Sequence, residues 1–301
     1  MSIVITTPTG NIGKRALQQL LQAGADVSVI VRQPEKLSDS IRSRVKIHQG
    51  SITDVGLVTK AFQGAKAALW VTPPDITHPD VAAYHSELGA VAARAIKESK
   101  IPYVVNVSSA GAHLENAGPV SGLAIIERLM NEVTEHIVHL RPGFFMENFL
   151  QQIEPIKSDG AIYEPLSGDM PYPLIATQDI GDVAAQLLLR TNWSGHQVRG
   201  LHGAADLTFA GATKILSESI GKPVKYVQIT PDQAYQAFLE IGASPGFAKA
   251  LVEMYQALSK PGAIKESRTA ETTTPTTLRE WSDKVFRPLF AGQAGERGKT
   301  V

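Results

Sequence analysis

Apolar and polar positions change their period repeatedly along the first 140 residues. Ile3-Val4-Ile5 is a continuous apolar run, the mark of a strand buried on both faces. Ile12, Ala16, Leu17, Leu20 and Leu21 then recur at helical spacing, and Gly24 stands where a closing helix needs positive φ. Val27–Val31 returns to a β-branched strand pattern, completing a strand–turn–helix–strand unit. The alternation continues with strands predicted at 45–47, 67–72, 103–107 and 137–140, and helices at 57–62, 81–97 and 123–134. Such alternation predicts an α/β fold, a Rossmann-type doubly wound parallel sheet covered on both faces. After Arg141-Pro142-Gly143 the pattern loosens. Pro155, Pro165, Pro171 and Pro173 mark a loop-rich stretch, followed by helices at 179–189 and 208–220. A strand-like run covers 224–229, two helices fit within 231–258, and 291–301 reads as a frayed tail.

Composition narrows the classes. The 301 residues carry 29 Lys+Arg against 29 Asp+Glu, so no basic excess favours nucleic acid or a membrane surface. There is no Cys, which excludes disulfides, thiolate chemistry and iron–sulfur clusters. No apolar run reaches the ~18 residues of a membrane span. The start, Met1-Ser2-Ile3, has no basic leader, and a cytoplasmic protein is expected. His78, His85 and the pair His136/His139 lack metal-ligand spacing with carboxylates, so no metal is expected. The Asn192-Trp193-Ser194 sequon has no secretory signal to give it meaning.

The turn between the first strand and first helix carries the chemistry. In Thr7-Pro8-Thr9-Gly10-Asn11-Ile12-Gly13, Gly10 and Gly13 hold the last two positions of a G-x-x-G-x-x-G spacing, with Thr7 in the first. Glycines there let backbone N–H groups and the helix dipole approach a pyrophosphate. Thr7, Thr9, Gly10, Asn11, Ile12 and Gly13 are therefore the candidate dinucleotide-binding turn. At the end of the second strand an acidic residue would meet a ribose 2′-hydroxyl, and a basic one a 2′-phosphate. Arg32 stands there and Lys36 follows, which favours NADP(H) while leaving NAD(H) open.

Several motifs together resemble the NmrA-like family, atypical members of the short-chain dehydrogenase/reductase superfamily. They are the turn Thr7–Gly13, Val31-Arg32, Thr72-Pro73-Pro74, Asn106-Val107-Ser108-Ser109, the run from Leu140 to Asn148, Ile175 to Ala184, and Leu278-Arg279-Glu280-Trp281. The resemblance implies a Rossmann domain over 1–150, with segments about 174–203 returning to it. It also implies a smaller, partly helical C-terminal subdomain over 151–290 that binds substrate. Thr72, Pro73 and Pro74 would then line the ribose-to-nicotinamide path. Ser108 would mark the end of the fifth strand, and Pro142, Gly143, Phe144 and Phe145 would flank the nicotinamide.

The catalytic pattern of the superfamily is broken. Typical members use Tyr-x-x-x-Lys, in which an ammonium lowers the phenol pKa so that a proton can be shared with a carbonyl. The segment Gly118 to Glu127 has neither residue, and Leu123 stands where many NmrA-like proteins carry Lys. Three functions stay open. One is a reductase transferring hydride to a small, largely apolar substrate such as a quinone, an imine or iminium, or an activated enone, with Ser108, Ser109, His113 or water supplying the proton. The second is a non-catalytic NADP(H)-binding sensor or transcriptional co-regulator, with a protein partner. The third is a fold that has lost its cofactor. A homodimer is compatible with any of them. Tyr84, Met146, Phe149, Tyr163, Phe238, Phe247 and Tyr255 could wall an apolar substrate pocket.

Overall fold

The structure is a computed structural model that describes residues 2–292. Its first half is β1 (Ile3–Ile5), α1 (Asn11–Gln22), β2 (Val27–Val31), α2 (Asp39–Arg42), β3 (Val45–Gln49), α3 (Val55–Phe62) and β4 (Ala67–Val71). α4 (Val81–Ser99), β5 (Tyr103–Val107), α5 (Pro119–Asn131) and β6 (His136–Pro142) follow. The second half holds β7 (Phe144–Phe145), α6 (Ile153–Asp159), β8 (Ala161–Glu164), β9 (Pro171–Ile175), α7 (Thr177–Arg190), β10 (Gly195–Leu201) and β11 (Asp206–Thr208). It ends with α8 (Phe209–Ile220), β12 (Lys225–Gln228), α9 (Pro231–Glu240), α10 (Pro245–Leu258), α11 (Leu278–Trp281) and α12 (Arg287–Phe290). From residue 293 onward, the stretch expected to be a tail lies outside the described residues.

Seven parallel strands form the main sheet in the order β10-β6-β5-β4-β1-β2-β3. The chain winds outward from β1 in both directions, so the switch point falls between β1 and β4. Alternate strand residues feed two cores. Ile3, Ile5, Val29, Leu69 and Val105 pack under α1 and α7, while Val4, Ile30, Trp70 and Val104 pack under α3, α4 and α5. Each such aliphatic side chain contributes about 1.5–3 kcal/mol on burial. α1 closes as its pattern predicts, with Gly24 at φ +73°. α5 begins at Pro119 rather than 123, because proline is well tolerated in a first helical turn, where its missing N–H costs nothing.

Short strands fill the loosely patterned second half, contrary to the loop-rich expectation. β9 contains Pro171 and Pro173, which argue against a strand. Its proline half pairs only with β11, whereas Leu174 and Ile175 pair with β7, so the missing N–H groups are needed on one side at most. β10 is an edge strand whose first four residues are exposed, so it lacks an apolar signature. A third core, including Phe149, Ile162, Tyr172, Phe209, Trp281 and Phe286, holds this half together.

The later motifs are clamps. The Glu147 carboxylate accepts from the Thr177 N–H at 3.0 and 3.2 Å and from the Trp281 indole at 3.2 Å, capping α7 and tethering α11. Asp179 accepts the Thr276 N–H at 3.0 Å and its hydroxyl at 2.5 Å. The conformation after β6 is thereby locked to the chain's last helices.

Candidate active site

The first-strand turn is shaped by close approach. A Cβ at Gly13 would sit 2.0 Å from the Thr7 carbonyl oxygen, so α1 can meet the turn only with glycine there. Gly10 differs. Its φ is −76°, and a Cβ would find nothing nearer than that same oxygen at 3.8 Å. The fold therefore leaves open space over Gly10. No side chain caps α1 and no acidic residue sits in its first turn, so its N-terminal N–H groups face outward with the dipole unopposed. Thr9 and Gly10 are exposed, Asn11 is half-buried, and Ile12 and Gly13 are buried. Thr7 Oγ1 is buried with no hydrogen-bond partner. An uncapped, unfilled helix start of this kind fits a pyrophosphate.

Arg32 directly follows β2 and is exposed, with no ion pair among the described residues. Lys36, in the short 3₁₀ turn Pro34–Lys36, is likewise exposed. Burial pushes the Tyr84 phenol up to about 12, and the nearby Arg32 charge only partly opposes this. The Tyr84 hydroxyl donates to the Pro73 carbonyl at 2.9 Å, fixing the segment after β4.

Beyond the carboxyl ends of β4, β5 and β6 lies a cavity of about 360 Å³. Its Rossmann side is built by Ile12, Thr72, Pro74, Ser108, Pro142 and Phe145, and its other side by residues such as Tyr172, Phe247, Tyr255 and Leu258. Gly143 and Phe144 also line it. No Asp, Glu, Lys, Arg or His is in its wall. Ser108 lines the cavity, but its Oγ is buried and acts on Glu127 behind the wall, whose pKa it helps to lower; the other polar wall residues are Thr72, Ser109, Asn148, Tyr172 and Tyr255. Pro119 and Leu123, on successive turns of α5, both line it. The helix face that could carry a Tyr-x-x-x-Lys pair thus looks into the cavity with hydrocarbon.

The expected residues divide. Ile12, Thr72, Pro74, Ser108, Pro142, Gly143, Phe144 and Phe145 meet at the cavity. Thr7, Thr9, Gly10, Asn11, Gly13, Arg32, Lys36 and Pro73 lie on the turn, beside β2 or after β4, outside its wall. His113 does not line it either. Both ring nitrogens are buried without partners, and burial lowers the pKa, reinforced by Lys265 and Arg141. Among the expected substrate-side aromatics, Phe247 and Tyr255 reach the cavity. Met146 and Phe149 are core, Phe238 stacks on Tyr255, Tyr163 bonds Asp159, and Tyr84 holds Pro73. The sequence pattern missed Tyr172, because its proline neighbours hid the strand that aims it.

Behind the Ser108 wall, Arg141 forks onto Glu127 at 2.9 and 2.6 Å and reaches Glu266 at 2.8 Å, all three side chains being at most 14% exposed. Burial alone would raise the Glu127 pKa, but the Arg141 bonds prevail and hold it below the usual value. Next to it, burial pushes His139 down to about 4, and its neutral ring bonds Asn106 and Asn131, each at 3.0 Å.

A model of the NmrA-like family matches residues 1–282. The chain belongs to the NmrA-like family. One relative is the NAD(P)H azoreductase of Xenophilus azovorans, 29% identical over 268 residues, or 86% of this chain and 87% of the relative. Among solved structures, the NADPH-dependent quinone oxidoreductase of Escherichia coli complexed with NADPH superposes with a TM-score of 0.78 at 22% identity. That match covers 94% of this chain and 99% of that one. NmrA, a negative transcriptional regulator solved in complex with NADP, gives 0.73 at 17% identity, covering 98% of both chains. The NmrA-like fold therefore serves proteins named as reductases and one named as a regulator. Among the described residues, no helix is long and apolar enough to cross a membrane.

Proposed function

We propose that this protein binds NADP(H), and NAD(H) less well, and reduces a small, largely apolar acceptor such as a quinone, an imine or iminium, or an activated enone. The observation that carries this is the cavity without a charged wall residue at the ends of β4, β5 and β6, adjoining the uncapped start of α1. A dinucleotide in a doubly wound sheet lies across that switch point. Thr9 to Gly13 would hold the pyrophosphate, Arg32 and Lys36 the 2′-phosphate, and Pro142 to Phe145 one side of the nicotinamide. When bound, the reduced cofactor supplies hydride. The chain's own part is to bring the acceptor alongside in a space that excludes water, where orientation does most of the catalytic work. Ser108 would stand beside the acceptor at the end of β5. His113 stands outside the cavity wall and takes no part in this proposal.

The names of the azoreductase and quinone oxidoreductase relatives support the same chemistry. A second function, a cofactor-binding regulator, is favoured by one feature. Pro119 and Leu123 leave the cavity without the usual acid pair. Calorimetry with NADPH and NADH tests the shared claim, and binding of neither would refute both functions. Oxidation of NADPH against a panel containing a quinone, an azo dye, an imine and an enone separates them. Rates no faster than free NADPH on every acceptor would leave the regulator standing.

A further inference from the structure

Glu164 is the carboxylate that the fold leaves without a structural job. It is 5% exposed, and among the described residues it makes neither a hydrogen bond nor an ion pair. In β8 it shares a face with Ile162, a core residue, and in the parallel register it stands opposite Gln228 of β12. Tyr226, two residues before Gln228 and opposite Ile162, feels its charge, as does Tyr255 of α10. Tyr172 also stands close enough to act on Tyr255. Tyr226 and Tyr255 are the titratable groups that feel Glu164, and among the described residues no cation acts on it.

The phenols are not equivalent. Tyr172 donates its hydroxyl to the Leu258 carbonyl, and Tyr226 donates to the Leu166 carbonyl at 2.5 Å. The Tyr255 hydroxyl makes no hydrogen bond among the described residues, and the residue lines two spaces at once. One is the apolar cavity. The other is a cleft of about 450 Å³ that also includes Gln228, Thr230, Gln256 and Ser259. Glu164 lines neither space itself; it precedes the cleft residue Pro165, stands opposite the cleft residue Gln228, and its charge is felt at Tyr255, which opens on both spaces.

We propose that Tyr255 delivers the proton that completes reduction of the acceptor, and that Glu164 resupplies it through intervening water. This rests on the oxidoreductase function proposed above. The acceptor takes a hydride, with its electron pair, from the bound dihydronicotinamide at one end of its conjugated system. At the other end its oxygen or nitrogen gains a proton as the Tyr255 O–H bond breaks. The Tyr255 O–H bond re-forms with the proton of the Glu164 carboxyl, and the Glu164 carboxylate is reprotonated from solvent through the cleft. The acceptor is reduced by two electrons, the dihydronicotinamide is oxidised, and one proton is consumed.

The environment suits these roles. Burial raises the Tyr255 phenol well above its ordinary value, so it passes a proton on only as it receives one. Burial pushes the Glu164 carboxyl up to about 8, so near neutral pH it holds a proton to give.

Glu164→Gln keeps the size and neutrality of the side chain, and Tyr255→Phe removes only the hydroxyl. In the free protein, infrared spectra at neutral pH should show the C=O stretch of a protonated carboxyl that Glu164→Gln removes and Tyr255→Phe keeps. With NADPH and 1,4-naphthoquinone, both variants should lose about 100-fold in kcat with little change in KM. Wild-type kcat should fall as pH rises through about 8, and the Glu164→Gln profile should be flat there. An ionised Glu164 at neutral pH would overturn the proposal. So would Glu164→Gln or Tyr255→Phe with the wild-type rate and pH profile. A wild-type protein that shows the carboxyl band yet reduces no acceptor would refute the oxidoreductase function and the relay with it. An active wild type with unaffected variants would refute the relay alone.

Discussion

Replacing Arg141 with Met isolates the cost of the buried ion cluster. Among the described residues Arg141 is the only cation bonded to Glu127 and Glu266, whose side chains are 8% and 10% exposed. Met fills much of the same volume but leaves both carboxylates without their partner, a change that typically costs 3–5 kcal/mol. A ceiling follows from titration. An orphaned carboxylate can always take a proton, which near pH 7 costs about 1.4 kcal/mol for each unit above its ordinary pKa near 4.3, or roughly 4 kcal/mol. At pH 5 the same escape costs only about 1 kcal/mol. In the native protein the Glu127 pKa is lowered, so its stabilisation is present above the unfolded pKa and lost only as pH falls through the folded one. In the variant the Glu127 carboxylate shifts upward, and stability falls as pH rises above about 4.3. The gap between the two proteins should therefore widen from pH 5 to pH 7. At about 2.1 cal/mol/K per residue, a loss of 4 kcal/mol corresponds to a Tm drop of roughly 6–7 °C for a chain this long. Urea melts at both pH values, with calorimetric Tm values beside them, provide the assay. A loss below about 1 kcal/mol at pH 7, or one that does not depend on pH, would refute the assignment of this cluster as a buried ion network.

Other substitutions probe separate parts of the site. Arg32→Ala should weaken NADPH binding by roughly 10- to 100-fold, the worth of a charge-assisted phosphate contact, and leave NADH nearly unchanged. An unaltered preference by calorimetry would dissociate Arg32 from the 2′-phosphate. Gly13→Ala places a methyl 2.0 Å from the Thr7 carbonyl, so α1 must move off the turn. NADPH affinity should fall at least tenfold with a clear drop in Tm, and native affinity would show that the turn does not hold the cofactor. Glu147→Ala strips the Thr177 and Trp281 N–H groups of their acceptor, and chemical denaturation should register a loss of about 2–4 kcal/mol.

How far the sequence could be read depended on how local each feature is. The centre of the first sheet was legible because β1, β2 and β4 are buried on both faces, so they appear as nearly continuous apolar runs between helices of clear period. The turn at Thr7–Gly13 was legible because all its parts are contiguous. β9 and β10 were not. Prolines disguise the first, and an edge position gives the second no apolar face to repeat.

The cavity divides along the same line. Its Rossmann half comes from strand ends whose residues are fixed by register, and most of the expected cofactor positions there meet. Its far half is assembled from β9 and α10, which no sequence spacing relates, and of seven expected wall residues, six of them aromatic, only Phe247 and Tyr255 arrive. The same reasoning explains why the missing acid looked like a void. A Tyr-x-x-x-Lys pair is a local motif, legible as two residues one helical turn apart, and α5 presents Pro119 and Leu123 instead. A proton source built from β8 and α10 has no spacing to recognise. Glu164 resembles a surface glutamate until the fold buries it unpaired, and Tyr255 resembles a core aromatic until two spaces open on either side of it. Loss of the helical pair therefore removes one way of supplying a proton and leaves untouched the turn and the strand ends on which the proposed hydride site depends.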